Sequence, residues 1–188
     1  MSSPPPRAME VVDYDPGWPD CFRQERDRLR SALPGLFADI QHIGSTAVPG
    51  LAAKPVVDMM ASVENLDQAL AAVADIEGLG YRYVPEAGLP GRLFFKRDAD
   101  ARRSHHLQVV EHATLHTRSQ LLLRDLLRRD PVARERYAEL KRDLATRFAH
   151  DSRGYTAGKT PLLQDLVNEA LRGAGLAPLD DVWEGERS

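Results

Sequence analysis

The sequence predicts an α+β fold: a mixed β-sheet with flanking helices and a C-terminal helical segment. Two observations carry this. Short apolar runs bounded by Gly, Pro and Asn fill the first two-thirds of the chain. The last third instead places Leu, Tyr and Phe at helical spacing.

Residues 1–9 are Ser/Pro-rich and lack an apolar stretch, so they read as a disordered lead rather than a signal peptide. Residues 10–188 read as one domain. Asp13-Tyr14-Asp15-Pro16-Gly17 makes a turn, and residues 19–33 follow as a helix with Phe22, Leu29 and Leu33 on one side, stopped by Pro34-Gly35. Strands are expected over 38–43 and 56–63, the second apolar on both faces except at Asp58. Asn65 with Gln68 forms a capping box that opens a helix over 66–76. Gly78 and Gly80 end it, and strands follow at 81–84, 92–96 and 105–111.

Thr117 with Gln120 is a second capping box, before a Leu-rich helix that runs to Arg129. Asp130-Pro131 supplies an N-cap and a first-turn proline for a helix carrying Tyr137, Leu140, Leu144 and Phe148. A polar loop over 150–158 and a second cap-and-proline start at Thr160-Pro161 introduce the last helix, which Gly173 and Gly175 end.

Composition narrows the function classes. The net charge of −3 gives no strong nucleic-acid signal, despite a basic stretch at Arg92, Lys96, Arg97, Arg102 and Arg103. No apolar run approaches the ~18 residues of a membrane span, so a cytoplasmic protein is expected. The lone cysteine, Cys21, excludes an internal disulfide and reads as a small buried hydrophobe.

Chemistry concentrates between His42 and Asp58. A strand ends in Gly44-Ser45, where glycine lets the backbone approach a ligand closely. Successive N–H groups with the Ser45 and Thr46 hydroxyls can receive an anion, and Lys54 adds positive charge. Asp58 then stands among Val56, Val57, Met59 and Met60, where a carboxylate is costly unless it is paired or bound to a cation. The plainer alternative is a turn followed by an Asp at the wet end of a strand.

This segment resembles the signature of the GrpB family, and the resemblance extends over most of the chain. It begins with Asp13-Tyr14-Asp15-Pro16 and Trp18, continues from His42 through Gly44-Ser45-Thr46-Ala47-Val48-Pro49-Gly50-Leu51 to Lys54-Pro55, and resumes at His105-His106-Leu107 and Val109-Val110-Glu111. It ends with Tyr155 and Lys159. The resemblance implies a nucleotidyltransferase-like fold, in which Gly44 and Ser45 hold a nucleotide phosphate and Asp58 is the catalytic carboxylate that binds Mg2+. A nucleoside monophosphate would pass to an acceptor hydroxyl with release of pyrophosphate. Met60 stands where the second carboxylate of an Asp-x-Asp pair is expected, no Asp lies on the 105–111 strand, and Gln108 replaces a histidine common in relatives. These departures leave open an accessory module that binds ligand without turnover, linked to coenzyme A metabolism. A metal site built from Asp58 and His105 or His106 is a third alternative.

Further candidates lie outside the turn. His42, His105, His106, Gln108 and Tyr155 are expected to line the site, with His106 and Gln108 on one strand face and His105 on the other. Lys159 is expected to neutralise phosphate charge beside a helix start. Arg92 and Lys96 share a strand face and could reach an anion, while His112 and His116 read as loop and cap residues.

Overall fold

The computed structural model describes residues 10–85, 91–99, 102–112 and 114–180. The expected lead over 1–9, and the side chains of His116 and Thr117, lie outside the described residues.

Asp15 opens the chain's first turn by accepting the Gly17 N–H at 2.7 Å. Helix α1 (Trp18–Ala32) follows, with Pro19 in its first turn. Its inner stripe is Trp18, Phe22, Glu25 and Leu29, so Cys21 falls off the stripe and is exposed rather than buried. Strand β1 (Asp39–Ile43) leads into a 3-10 turn (Ser45–Ala47), and β2 (Val57–Val63) returns antiparallel to β1.

The helix expected over 66–76 is two helices, α2 (Leu66–Ala71) and α3 (Val73–Gly78), broken at Ala72. Asn65 caps α2 by accepting the Asp67 N–H at 2.7 Å. Ala69 on α2 and Ile76 on α3 both enter the main core.

Strand β3 (Tyr81–Tyr83) pairs with β4 (Arg92–Ala99), and β4 pairs with β5 (Arg102–Glu111). The β4–β5 pair outruns its apolar signal because its outer strand residues, 97–99 and 102–104, are mostly polar and are held by backbone pairing and an Arg103–Asp98 ion pair at 2.6 Å. The sheet order is β1-β2-β5-β4-β3, mixed because only β2 and β5 run parallel.

Alternation divides the sheet. Val57, Met59, Ala61, Val63, Leu107, Val109 and Phe95 face α1, α2 and α3 in the main core. The other face carries Ile43, Asp58, Met60, His106, Gln108, Phe94 and Lys96, which the pairing register aligns. Helices α4 (Leu115–Arg129), α5 (Pro131–Arg147) and α6 (Ser152–Gly173) pack together in a second core that also takes in Val48 and Leu51 from the loop before β2. No helix among the described residues is long and apolar enough to cross a membrane.

Two helix starts differ from expectation. Helix α4 begins at Leu115, and the Arg118 N–H already bonds the Thr114 carbonyl, so Thr117 lies inside the first turn rather than at its cap. Helix α6 begins eight residues before Thr160, capped by Asp151, whose Oδ1 accepts the Arg153 and Gly154 N–H groups at 3.0 and 2.9 Å. Pro161 is therefore interior and withholds one helical N–H. Packing outweighs that loss: a Cβ on Gly158 would come within 2.5 Å of Leu144 on α5, and one on Gly154 within 2.5 Å of Phe148. These glycines let the two helices approach closely.

Candidate functional site

The site forms where β1 ends. Register sets Ile43 opposite Asp58, and the parallel pairing sets Asp58 beside His106. Gly44 leaves the strand with φ 69° and ψ −170°. A Cβ on it would lie 2.6 Å from Asp58 Oδ2, so this close approach requires glycine. The Gly44–Ser45 turn and Asp58 are thus direct neighbours.

Asp58 Oδ1 lies 2.9 Å from His106 Nδ1, and both side chains are about a quarter to a third exposed, at 30% and 26%. A carboxylate only accepts, so Nδ1 carries the proton and Nε2 is turned away from Asp58. The His106 ring leans on Phe94 with centroids 5.2 Å apart. Gln108, two residues along the same face, accepts a bond from Arg92 at 3.2 Å.

One lysine contacts the turn, and two more interact electrostatically with that lysine or with Asp58. Lys141 on α5 is 2% exposed and donates to Ser45 Oγ at 3.0 Å and to the Ala52 carbonyl. Lys54 and Lys159 both sit over the Tyr155 ring, 4.2 and 4.8 Å from its centroid. Burial, followed by the charge of Lys159, pushes Lys54 down to about 8 and Lys141 down to about 7, while Asp58 pulls both back up. Burial also pushes the Tyr155 phenol up to about 12.

The remaining candidates divide. Thr46 is buried, and its hydroxyl is engaged with His42 Nε2 at 3.0 Å. His42 stacks on Phe22 at 4.8 Å, and burial, aided by Arg128 and Arg124 against the pull of Asp58, lowers it to about 4. It supports the turn from behind. His105 lies on the opposite sheet face from Asp58, bonded to Ser104 at 3.0 Å and lowered by burial. Glu111 is at the far end of β5, opposite Val63, and receives the Leu66 N–H.

The donor set bears on magnesium. Where a second carboxylate would stand, Met60 is buried with Ile43 and Val110, against Leu121. No group of three His, Cys, Asp or Glu side chains among the described residues could hold a metal. The residues therefore do not fit a protein-held pair of metal ions. They do fit a single magnesium ion shared between Asp58 and ligand phosphates, a binding mode that ion commonly takes.

Lys141 went unrecognised in the sequence, although a signal exists. Tyr137, Lys141, Leu144 and Phe148 fall on one side of α5, and Lys141 rather than Leu140 takes the fully buried position. A charge within an apolar stripe is the mark. Glu25 carries the same mark on α1, where it meets Arg28, Arg97 and Tyr81. On α4, Arg124 binds the His42 carbonyl at 3.1 Å and Arg128 the Ala47 carbonyl at 2.9 Å, clamping both ends of the turn.

Residues 8–169 match the family described as GrpB protein. The chain is 38% identical to a UPF0157 protein of Pseudomonas aeruginosa over 91% of its length and 76% of that protein. It is 32% identical to UPF0157 protein YqkA of Bacillus subtilis, but spans only 49% of that relative. It is 30% identical to dephospho-CoA kinase of Mycobacterium tuberculosis, covering 46% of it. The crystal structure of GrpB from Enterococcus faecalis aligns with a TM-score of 0.82 at 30% identity, over 88% of this chain and 99% of that one. Cid1 poly(U) polymerase, solved with Mg and 3'-dATP bound, aligns with a TM-score of 0.54 at 16% identity, over 80% of this chain and 50% of that one. That likeness marks a nucleotidyltransferase-like fold.

Proposed function

The chain belongs to the GrpB family, and we propose that it binds a nucleotide or another phosphorylated small molecule at the Gly44–Ser45 turn. One observation carries this reading. Lys54, Lys141 and Lys159 are gathered around Ser45 and Tyr155 against mutual repulsion, with Asp58 the acidic group that pulls the first two back. A polyanionic ligand would relieve that repulsion, and the Ser45 hydroxyl and turn backbone supply directional donors.

Magnesium would arrive with the phosphates and be held by Asp58, supplying charge neutralisation. The fold and the bound nucleotide of the polymerase neighbour support a nucleotidyl transfer. In that reaction an acceptor hydroxyl oxygen bonds the α-phosphorus as the bond to the pyrophosphate oxygen breaks. The hydroxyl proton is assigned to His106 Nε2. We assign the protein to the cytoplasm, where nucleoside triphosphates are abundant.

A second reading is favoured by Met60. With an apolar patch in place of a second carboxylate, the protein would keep the ligand site and act as an accessory module. Its similarity to part of dephospho-CoA kinase supports a link to coenzyme A metabolism.

Thermal unfolding with millimolar ATP, with and without Mg2+, tests the binding claim. Ligand at a hundred times its Kd should add about 2.7 kcal/mol of stability. Asp58→Asn is expected to remove the magnesium-dependent part of the shift. No shift with ATP or pyrophosphate would overturn the reading. Pyrophosphate release that Asp58→Asn abolishes would select transfer, whereas binding without release across an acceptor panel would select the accessory module.

A further inference from the structure

The buried lysine beneath the turn carries an inference that rests on the anion-site reading above. A hydroxyl has one proton and two lone pairs, so its role depends on what its neighbour offers. Lys141 Nζ is fixed by the Ala52 carbonyl and by Ser45 Oγ, 3.0 Å away, with the Tyr137 ring 4.5 Å off. As an ammonium, it donates to an Oγ lone pair, and the Ser45 proton is available to the site. As a neutral amine, it has a lone pair that can accept that proton, turning the hydroxyl inward.

We propose that Lys141 is the positioning residue of the anion site: its ammonium form holds Ser45 as a donor to phosphate, so anion binding takes up a proton at Lys141. The surroundings bear on both halves of this. The charged groups around Nζ are Lys159 from α6, Arg142 from its own helix and Asp58 from β2, with Lys54 and Tyr155 grouped around Lys159. Two cations and burial act against the ammonium, and one carboxylate favours it. A bound phosphate adds negative charge close to Ser45 and shifts that balance towards the ammonium. The free amine value near 7 leaves room for such a shift at neutral pH.

Two measurements test this. The lysine 13Cε resonances of the free protein, wild type against Lys141→Met, should show one amine titrating near neutrality that the variant lacks. Inorganic tripolyphosphate should then raise that midpoint. In isothermal titration, wild-type affinity for tripolyphosphate should fall as pH rises from 6.5 to 8.5, by up to about tenfold in all, the same loss that removing the ammonium causes. Lys141→Met should weaken binding about tenfold at pH 6.5 and flatten the profile. Ser45→Ala should cause a similar loss, and the double variant should lose no more than either single one. Lys141→Arg, permanently charged, should restore a pH-independent affinity. If Lys141 stays an ammonium through pH 9, or Lys141→Met keeps the wild-type pH slope, the proposal fails while the anion site stands. If wild type binds no tripolyphosphate at any pH, the anion-site reading fails, and this proposal with it.

Discussion

Gly44 shows how much of the site depends on one atom that is absent. Its φ of 69° with ψ −170° is a region that only glycine occupies readily, and a Cβ there would lie 2.6 Å from Asp58 Oδ2 and 3.0 Å from Asp58 Cβ. Gly44→Ala is therefore expected to cost about 3 kcal/mol, combining backbone strain with overpacking. Urea denaturation would show it, and pairing it with Asp58→Ala should recover part of the loss. Strictly additive costs would place the strain in the backbone alone. The same residue was legible in the sequence, because Gly-Ser at the end of a strand announces a close approach. Lys141, which reaches Ser45, carried only the weaker mark of a charge in an apolar stripe, and a lysine in a helix reads as a solvated surface charge until the helix's buried side is known.

At the scale of elements, caps and packing compete. Asp130 caps α5 as the Asp-Pro pair predicts, its Oδ1 accepting the Val132 and Ala133 N–H groups at 2.8 and 3.0 Å. Thr160-Pro161 has the same form and caps nothing, because Asp151 has already started α6. The Thr160 hydroxyl bonds back to the Thr156 carbonyl at 3.4 Å, as an interior residue does. Asp151→Ala should cost about 1 kcal/mol in urea denaturation, and Thr160→Ala no more than ~0.5 kcal/mol. The reverse order would restore the later helix start. Local chemistry cannot separate these two signals, since both satisfy the same rule. The contacts of Gly154 and Gly158 with α5 decide between them.

For the whole molecule, the buried amines make stability depend on pH. The folded value of Lys141, about 7 against an ordinary 10.5, means the unfolded chain holds more protons between those limits. Stability contributed by this group therefore rises with pH across that window. Lys54, lowered to about 8, has the same sign. Tyr155, raised to about 12, acts oppositely, but only above pH 10, where the unfolded phenol ionises first. Urea midpoints should thus climb from pH 7 to 9 in wild type and climb less in Lys141→Met. The variant should gain most over wild type at pH 7 and below, where the native chain keeps a charge buried. An equal slope in both proteins would show that Lys141 is not desolvated.

The α+β class, the strands, the Asp130 cap and the Gly44–Ser45–Asp58 segment were determined by the sequence alone. The first three follow from residue periodicity or from steric limits acting within a few positions, and the last from the family resemblance. Only the tertiary structure decided that His106 pairs with Asp58 while His105 faces the opposite core, and that Lys141 reaches Ser45 across 96 positions. It also decided that Met60 is buried with Ile43 and Val110 on the sheet face that carries Asp58. Those choices arise from parallel register and helix docking, which bring together groups that carry no mark of one another along the chain.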